Sequence, residues 1–498
     1  TRMAAKHANA LLALGLLGVG VGGIASPGSA NGAHRQAAQR LGAGADAPTV
    51  WSEFGALGRE TGAVNLGQGY PDWAPPQFVL DAGMQAMSRN CHQYTRTAGH
   101  PPLTSVLARR YTEHLGREID GEREIAITVG ASQALFLALQ ALVDPGDEVL
   151  VIEPTFDLYY GQIRVAGAKA VGVPMELDPV SGEWTLDINA LRARLTDKSR
   201  VLIFNSPHNP TGKVFSREEM AQIAAVVAEH PRLLVLSDEV YKYTVHGEGK
   251  QHEHFATLDG MAERTVTVSS AGKTFSVTGW QVGWAVGPAH LIAPMQAYLP
   301  LAQFCVATPL QEALALALVE ADLPKFGCAG SGYAEDRGQL LDYYSWRRAQ
   351  YAQKREKLAD ALSAAGIRPL PCAGGFFTMG ETSALTVPEK YLQASTAAAP
   401  SMSRDWALCR WLALDHGVLM IPASPFFSPG EKERGANLVR VAFCKTDETL
   451  DRAAERLATF GSAHAPEAAA RLLAARAASS AERAREAAGA ARVLTGGK

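Results

Sequence analysis

The sequence predicts an α/β fold, with a mostly parallel seven-stranded sheet in a large domain joined to a smaller α+β domain. Three observations carry this expectation. Seven short β-branched or apolar runs recur between residues 124 and 286. Helical apolar periodicity fills several of the gaps between them. After about residue 340 the pattern restarts with one long helical stretch, short strands and a closing helix. Strands alternating with helices imply a parallel sheet covered on both faces, with ligands bound at the carboxyl ends of the strands.

Taken in order, residues 1–45 stand apart from the rest. No acidic residue precedes Asp46, while Arg2, Lys6, Arg35 and Arg40 are present. The uncharged run 11–25 is shorter than the roughly 20 residues of a membrane-spanning helix, so no stable span is expected. The stretch reads as a secretory or organellar presequence, or as an extension outside the folded body. Cytoplasm, mitochondrion or plastid would follow from which of these it is. Residues 46–90 are expected to form an arm and part of the small domain, and 91–325 the large domain. Its strands are predicted at 124–129, 148–153, 168–173, 200–204, 233–237, 265–268 and 281–286. Between them, 132–142 carries Leu135, Leu137, Leu139 and Leu142 in a helical pattern. Residues 217–230 place Met220, Ile223, Ala224 and Val227 on one helix face. Asp144-Pro145-Gly146-Asp147 supplies turn punctuation. The small domain, 326–461, is predicted to hold a long helix at 341–365, strands at 375–378, 418–421 and 438–443, and a helix at 447–460. The Gly-rich stretch 326–338 reads as an insertion, and the Ala- and Arg-rich stretch 462–498 as an exposed, partly helical tail.

Composition narrows the function classes. With 47 basic and 50 acidic residues the net charge is −3, which removes the electrostatic footprint of a nucleic-acid binder. The six cysteines are scattered without a Cys-x-x-Cys pair, which argues against a disulfide framework or zinc ribbon. His246, His252 and His254 lack the spacing of a helical His-x-x-x-His pair, so the 245–255 loop reads as solvated and no metal is expected. Cys305 is a candidate pocket residue with no sign of a nucleophile's role.

Four segments carry chemistry. Ser269-Ser270-Ala271-Gly272-Lys273-Thr274-Phe275 follows a strand. A buried lysine amine there could form a Schiff base, with Ser270 on a phosphate. Ser237-Asp238-Glu239-Val240-Tyr241 ends another strand. A carboxylate so placed can hold a pyridinium nitrogen, although a helix cap is an ordinary use of such an Asp. Asn205-Ser206-Pro207-His208-Asn209-Pro210-Thr211-Gly212 is a rigid turn that aims Asn209 above the sheet. At Val129-Gly130-Ala131-Ser132-Gln133, a strand-to-helix junction offers backbone N–H groups to a phosphate. Phe156 could stack on a flat ring or be ordinary core.

Together these segments resemble the fold-type I, pyridoxal-phosphate-dependent class I aminotransferases over roughly residues 46–461. The resemblance extends to the kynurenine and methionine aminotransferase-like branch, through Val64-Asn65-Leu66-Gly67-Gln68-Gly69-Tyr70-Pro71-Asp72, Gln93-Tyr94-Thr95-Arg96, Ser270 through Trp280, and Val439-Arg440-Val441-Ala442-Phe443. It implies a homodimer that moves an amino group from an aromatic, kynurenine-like or sulfur amino acid to a 2-oxo acid. Lys273 would carry the cofactor and shuttle the proton, Asp238 would hold the ring nitrogen, and Asn209 and Tyr241 the phenolic oxygen. Ala131, Ser132, Ser270 and Tyr94 of a neighbouring subunit would hold the phosphate. Arg440 would grip the substrate carboxylate, with Trp51, Gly69 and Tyr70 shaping the side-chain pocket. A carbon–sulfur β-lyase on the same scaffold is an alternative, as is a non-catalytic cofactor-binding regulator. One position departs from the pattern: Gln281 stands eight residues after Lys273, where the family usually carries Lys or Arg.

Overall fold

The computed structural model describes residues 38–41, 47–326 and 340–495. The presequence reading of 1–45 and the insertion at 326–338 therefore lie almost entirely outside the described residues. Contacts divide the chain into Thr1–Gln39 and Arg40–Lys498, and the sheets and the cavity between them belong to the second unit.

Seven strands form the main sheet: β1 (Ile125–Val129), β2 (Glu148–Glu153), β3 (Lys169–Pro174), β4 (Ser199–Asn205), β5 (Leu234–Asp238), β6 (Thr265–Ser270) and β7 (Val282–Val286). Their order is β1-β7-β6-β5-β4-β2-β3. All neighbours run parallel except β7, which is antiparallel to both β1 and β6. The strands are apolar on both faces because both faces are covered. Val149 and Val151 join one hydrophobic cluster, and Leu150 and Ile152 the opposite one. Val201 and Ile203 divide from Leu202 and Phe204 in the same way. That period-two split is the geometry of a strand. The Gly130–Leu142 helix packs on one face through Leu135 and Leu139, and the Arg217–Ala228 helix on the other through Met220, Ile223 and Val227. The latter starts at a capping box in which Ser216 and Glu219 satisfy each other's backbone N–H groups.

A second, antiparallel sheet contains β8 (Arg368–Pro369), β9 (Phe377–Glu381), β10 (Ile421–Pro422) and β11 (Leu438–Ala442), ordered β8-β9-β11-β10. The predicted strand at 418–421 is thus split: Val418–Leu419 pairs instead with Val64–Asn65. The Tyr343–Ala364 and Asp447–His464 helices cover this sheet. Residues 46–90 divide between the two halves. The Val50–Thr61 helix joins the small half, with Phe54 5.6 Å from the Trp406 ring and Glu53 paired with Arg410. The Gln77–Ser88 helix packs instead against Thr308–Ala321 in the large half.

The carboxyl-terminal stretch is one helix, Pro466–Thr495. Its first part, to Arg476, is docked rather than free as expected: Ala468 and Ala469 are buried, and Arg476 bonds Asp360 at 2.6 Å and Glu356 at 2.8 Å. Among the described residues, no helix is long and apolar enough to cross a membrane.

Candidate active site

A cavity of about 610 Å³ opens where β4, β5 and β6 end. Asn205, Asp238 and Ser270 are the last residues of these three strands, so sheet register alone brings them side by side; Asn205 pairs directly with Asp238. Lys273 follows Ser270 in the Ala271–Phe275 turn, and its Nζ donates to the Gly69 carbonyl at 3.3 Å. Burial lowers the pKa of this amine, as does the Arg440 cation, while Cys444 and Asp238 pull the other way. The Asp238 carboxyl is buried, which pushes it up to about 6 against the opposing hydrogen bond from Tyr159. Tyr159 Oη donates to Asp238 Oδ2 at 2.7 Å, and the Val240 N–H donates to Oδ1 at 3.3 Å.

Asn209 is held by its own turn: its N–H donates to Asn205 Oδ1 at 2.7 Å. Its side-chain oxygen accepts from Arg440 Nη1 at 3.1 Å, and Arg440 Nη2 donates to the Gly67 carbonyl at 3.0 Å. Arg440 lies on β11, only 1 % exposed, with its Nε unpartnered among the described residues. Its guanidinium stands 4.0 Å from the Phe377 ring centroid and 5.0 Å from those of Trp51 and Phe426. Burial lowers its pKa to about 10. The Tyr241 ring meets the Phe376 ring edge-on at 5.0 Å, and burial raises its phenol.

Opposite, Gly130, Ala131 and Ser132 line the cavity at the start of a helix whose N-terminus has no side-chain cap. Gly130 has φ +69°, and β7 lies so close that a Cβ on Gly283 would sit 2.3 Å from the Gly130 carbonyl carbon. Phe156 is half-buried on the cavity wall rather than in the core. Trp51, Gly69 and Tyr70 also line it, Trp51 fixed by Nε1 donating to Asp157 Oδ2 at 2.7 Å. A Cβ on Gly69 would run into Phe377 at 2.0 Å, so only glycine leaves room there.

Tyr94, expected to serve a neighbouring subunit, is 82 % exposed and lies outside this chain's own cavity, packed on Phe304 at 4.9 Å. Other expectations are corrected. Cys305 does not line the cavity. The 245–255 loop is not solvated at its histidines. His252 Nε2 and His254 Nδ1 lie 3.0 and 2.5 Å from Oε2 of Glu239, which is buried. His246 Nε2 reaches the Gly375 carbonyl at 3.1 Å. The buried Glu239 carboxylate draws the two histidines in, and they hold it well below the usual carboxylate range in spite of burial. Gln281 has φ +50° and lines the cavity beside Gly130, but its amide donates to the Thr278 carbonyl at 2.5 Å. Lys273 and Arg440 are therefore the cations among the described lining residues. Tyr159 and Asp157 escaped the sequence reading; Asp157 neighbours a residue that it singled out, and Tyr159 gives no local signal.

A flat, anionic, pyridine-type cofactor fits this donor set: a buried carboxylate, an amine of lowered pKa, a half-buried aromatic wall, and uncapped N–H groups beside a serine hydroxyl. The chain belongs to the class I and II aminotransferase family, whose model matches residues 61–457; it is a pyridoxal-phosphate-dependent transaminase of fold type I. It is 40 % identical over 429 residues to the kynurenine–oxoglutarate transaminase of Dictyostelium discoideum, covering 82 % of this chain and 93 % of that protein. Among solved structures, it is similar to N-succinyldiaminopimelate aminotransferase from Mycobacterium tuberculosis (TM-score 0.72, 37 % identity, 85 % of this chain and 100 % of that one). It also resembles YbdL of Escherichia coli, described as having a methionine aminotransferase function (TM-score 0.71, 30 % identity, 85 % and 99 % covered).

Proposed function

We propose that this transaminase takes its amino group from an aromatic, kynurenine-like or sulfur-containing amino acid and passes it to a 2-oxo acid. The observation that carries the reading is Arg440. A buried guanidinium with an unpartnered Nε, walled by Trp51, Phe377 and Phe426, is a carboxylate anchor set beside aromatic surface. The names of the Dictyostelium and Escherichia coli relatives support the same donor classes.

Bound in the cavity, pyridoxal phosphate supplies an electron sink for the bonding pair released at the substrate Cα. The chain does the rest. Lys273 Nζ would hold the cofactor, and its amine, of lowered pKa, would take and return the Cα proton. Asp238, steadied by Tyr159, would hold the proton on the ring nitrogen. Asn209 and Tyr241 would bind the phenolic oxygen, with Phe156 beside the ring. Ala131 and Ser132 backbone groups with Ser270 would hold the phosphate. In a homodimer, the exposed Tyr94 of a second copy would complete that set. Trp51, Gly69 and Tyr70 border the substrate side chain.

The test is a half-reaction screen. Purified cofactor-loaded enzyme is mixed with each amino acid and with kynurenine, and loss of its visible absorbance is followed. Fast decay with kynurenine, aromatic or sulfur donors supports the reading, and decay confined to acidic donors refutes it. Pyruvate released from cysteine conjugates without added oxo acid would point to β-lyase chemistry.

A further inference from the structure

The turn that carries Lys273 is too short to support itself. Ala271–Phe275 spans five residues, so its carbonyls lack a full set of helical partners. The Tyr343–Ala364 helix supplies them from the other half of the molecule. Arg347, 3 % exposed, donates from Nη2 to the Lys273 carbonyl and from Nη1 to the Thr274 carbonyl. Tyr343 Oη donates to the Thr274 carbonyl at 3.1 Å. Among the described residues, the groups around the Arg347 cation are tyrosines rather than carboxylates, its guanidinium 5.1 Å from the Tyr351 ring centroid. Here its charge sits against the carbonyl end of the lysine turn, where a cation interacts favourably with the backbone dipoles.

The far side of Arg347 borders a second cavity of about 320 Å³, lined also by Trp73, Ser276, Trp346, Tyr351 and Lys354. Ser276 ends the lysine turn at φ +60° and accepts from Trp73 Nε1 at 3.2 Å. Around the Lys273 amine stand Asp238 and Tyr241 from the large half, Arg440 and Cys444 from the small sheet and its edge, and Arg347 beneath.

We propose that Arg347 is a positioning residue for Lys273, terminating the lysine turn from the small half and setting both the place of the amine and the positive field around it. This rests on Lys273 being the lysine that carries the cofactor. The Arg347 charge is among those that lower the Lys273 amine.

The test compares wild-type holoenzyme with Arg347→Met, Arg347→Lys and Arg347→Ala. Borohydride reduction and peptide mapping of the wild type first locate the modified lysine. The visible band of each cofactor-loaded protein is then titrated with pH. Removing the cation should raise the midpoint by about one pH unit in Arg347→Met, with Arg347→Lys falling between. The kcat of Arg347→Met should fall roughly tenfold while the KM for the amino donor stays nearly constant. Methylguanidine, entering through the second cavity, should restore part of the loss in Arg347→Ala and leave the wild type unchanged. A label on Lys273 together with an unshifted midpoint in the Met and Lys variants overturns the inference alone. A label elsewhere overturns the lysine assignment and the inference with it.

Discussion

Replacing Arg440 with methionine should leave the stability of the unliganded protein nearly unchanged while disabling it. Burial lowers Arg440 to about 10. At about 1.4 kcal/mol per tenfold, that lowering sets about 3 kcal/mol against the unliganded cation. The sign is that of a cation with a depressed pKa: the penalty is full at any pH below about 10 and fades as the pH rises through that value. Methionine removes the penalty together with two hydrogen bonds, to Asn209 and Gly67, each donated by a cation and so worth about 1.5 kcal/mol. The two effects nearly cancel, so stability read from the urea midpoint of the cofactor-free protein at pH 7 should change by less than about 1 kcal/mol. Catalysis moves the other way. Losing a charge-assisted carboxylate contact should cost about 2–5 kcal/mol in transition-state binding, a fall in kcat/KM of roughly 30-fold to several thousand-fold. The visible absorbance of the loaded enzyme should persist. A fall below tenfold would mean that another group holds the substrate carboxylate. A methionine variant less stable than wild type by more than about 1 kcal/mol would show that the unliganded cation is not held at a penalty.

Four further outcomes are expected. Because Asp238 must be ionised to hold a ring nitrogen and titrates at about 6, cofactor affinity should weaken as pH falls through that value. Tyr159→Phe, which removes the 2.7 Å donor, should move the fall-off to higher pH in fluorescence titrations. Gln281→Lys should tighten cofactor binding by about 1–2 kcal/mol, seen as slower loss of visible absorbance on dialysis, because charge-assisted phosphate contacts are about twice as strong as neutral ones; equal or faster loss would show that the ammonium does not reach the phosphate. Glu239→Gln leaves His252, His254 and the buried Lys242 facing a neutral amide, and thermal melts should record about 3–5 kcal/mol of lost stability; a loss below about 1 kcal/mol would refute the buried-charge account.

The sheet was legible because burial on both faces writes itself as continuous apolar runs, and all seven runs correspond to strands, no end differing by more than two residues. The residues at strand ends were legible because turn chemistry marks them: Asn209 among prolines, Asp238 after an apolar run, Lys273 among small residues. Tyr159 and Arg347 were not. Each meets its partner 79 and 74 positions away in sequence, from within a helix whose pattern reads only as helix. The histidine loop misled for the complementary reason. Its composition is that of a solvated loop, and only the buried Glu239 carboxylate, itself hidden in a strand-end motif, makes water unnecessary there. Gln281 stood out as a residue type, but its aim depends on a left-handed backbone that no neighbour announces.

The hydrogen bond between Arg440 and Asn209 has a consequence for how this chain can be altered. Arg440 comes from the small sheet, and Asn209 from the turn that closes a strand of the large one. The group proposed to meet the substrate and the group proposed to face the cofactor therefore touch each other across the two halves. A chimera that kept one half and took the other from a relative would inherit intact strands, intact cores and an intact lysine. It would still need the incoming guanidinium to arrive within about 3 Å of an amide that it had never met. Donor preference in this fold is therefore better changed residue by residue around Trp51 and Tyr70 than by exchanging halves.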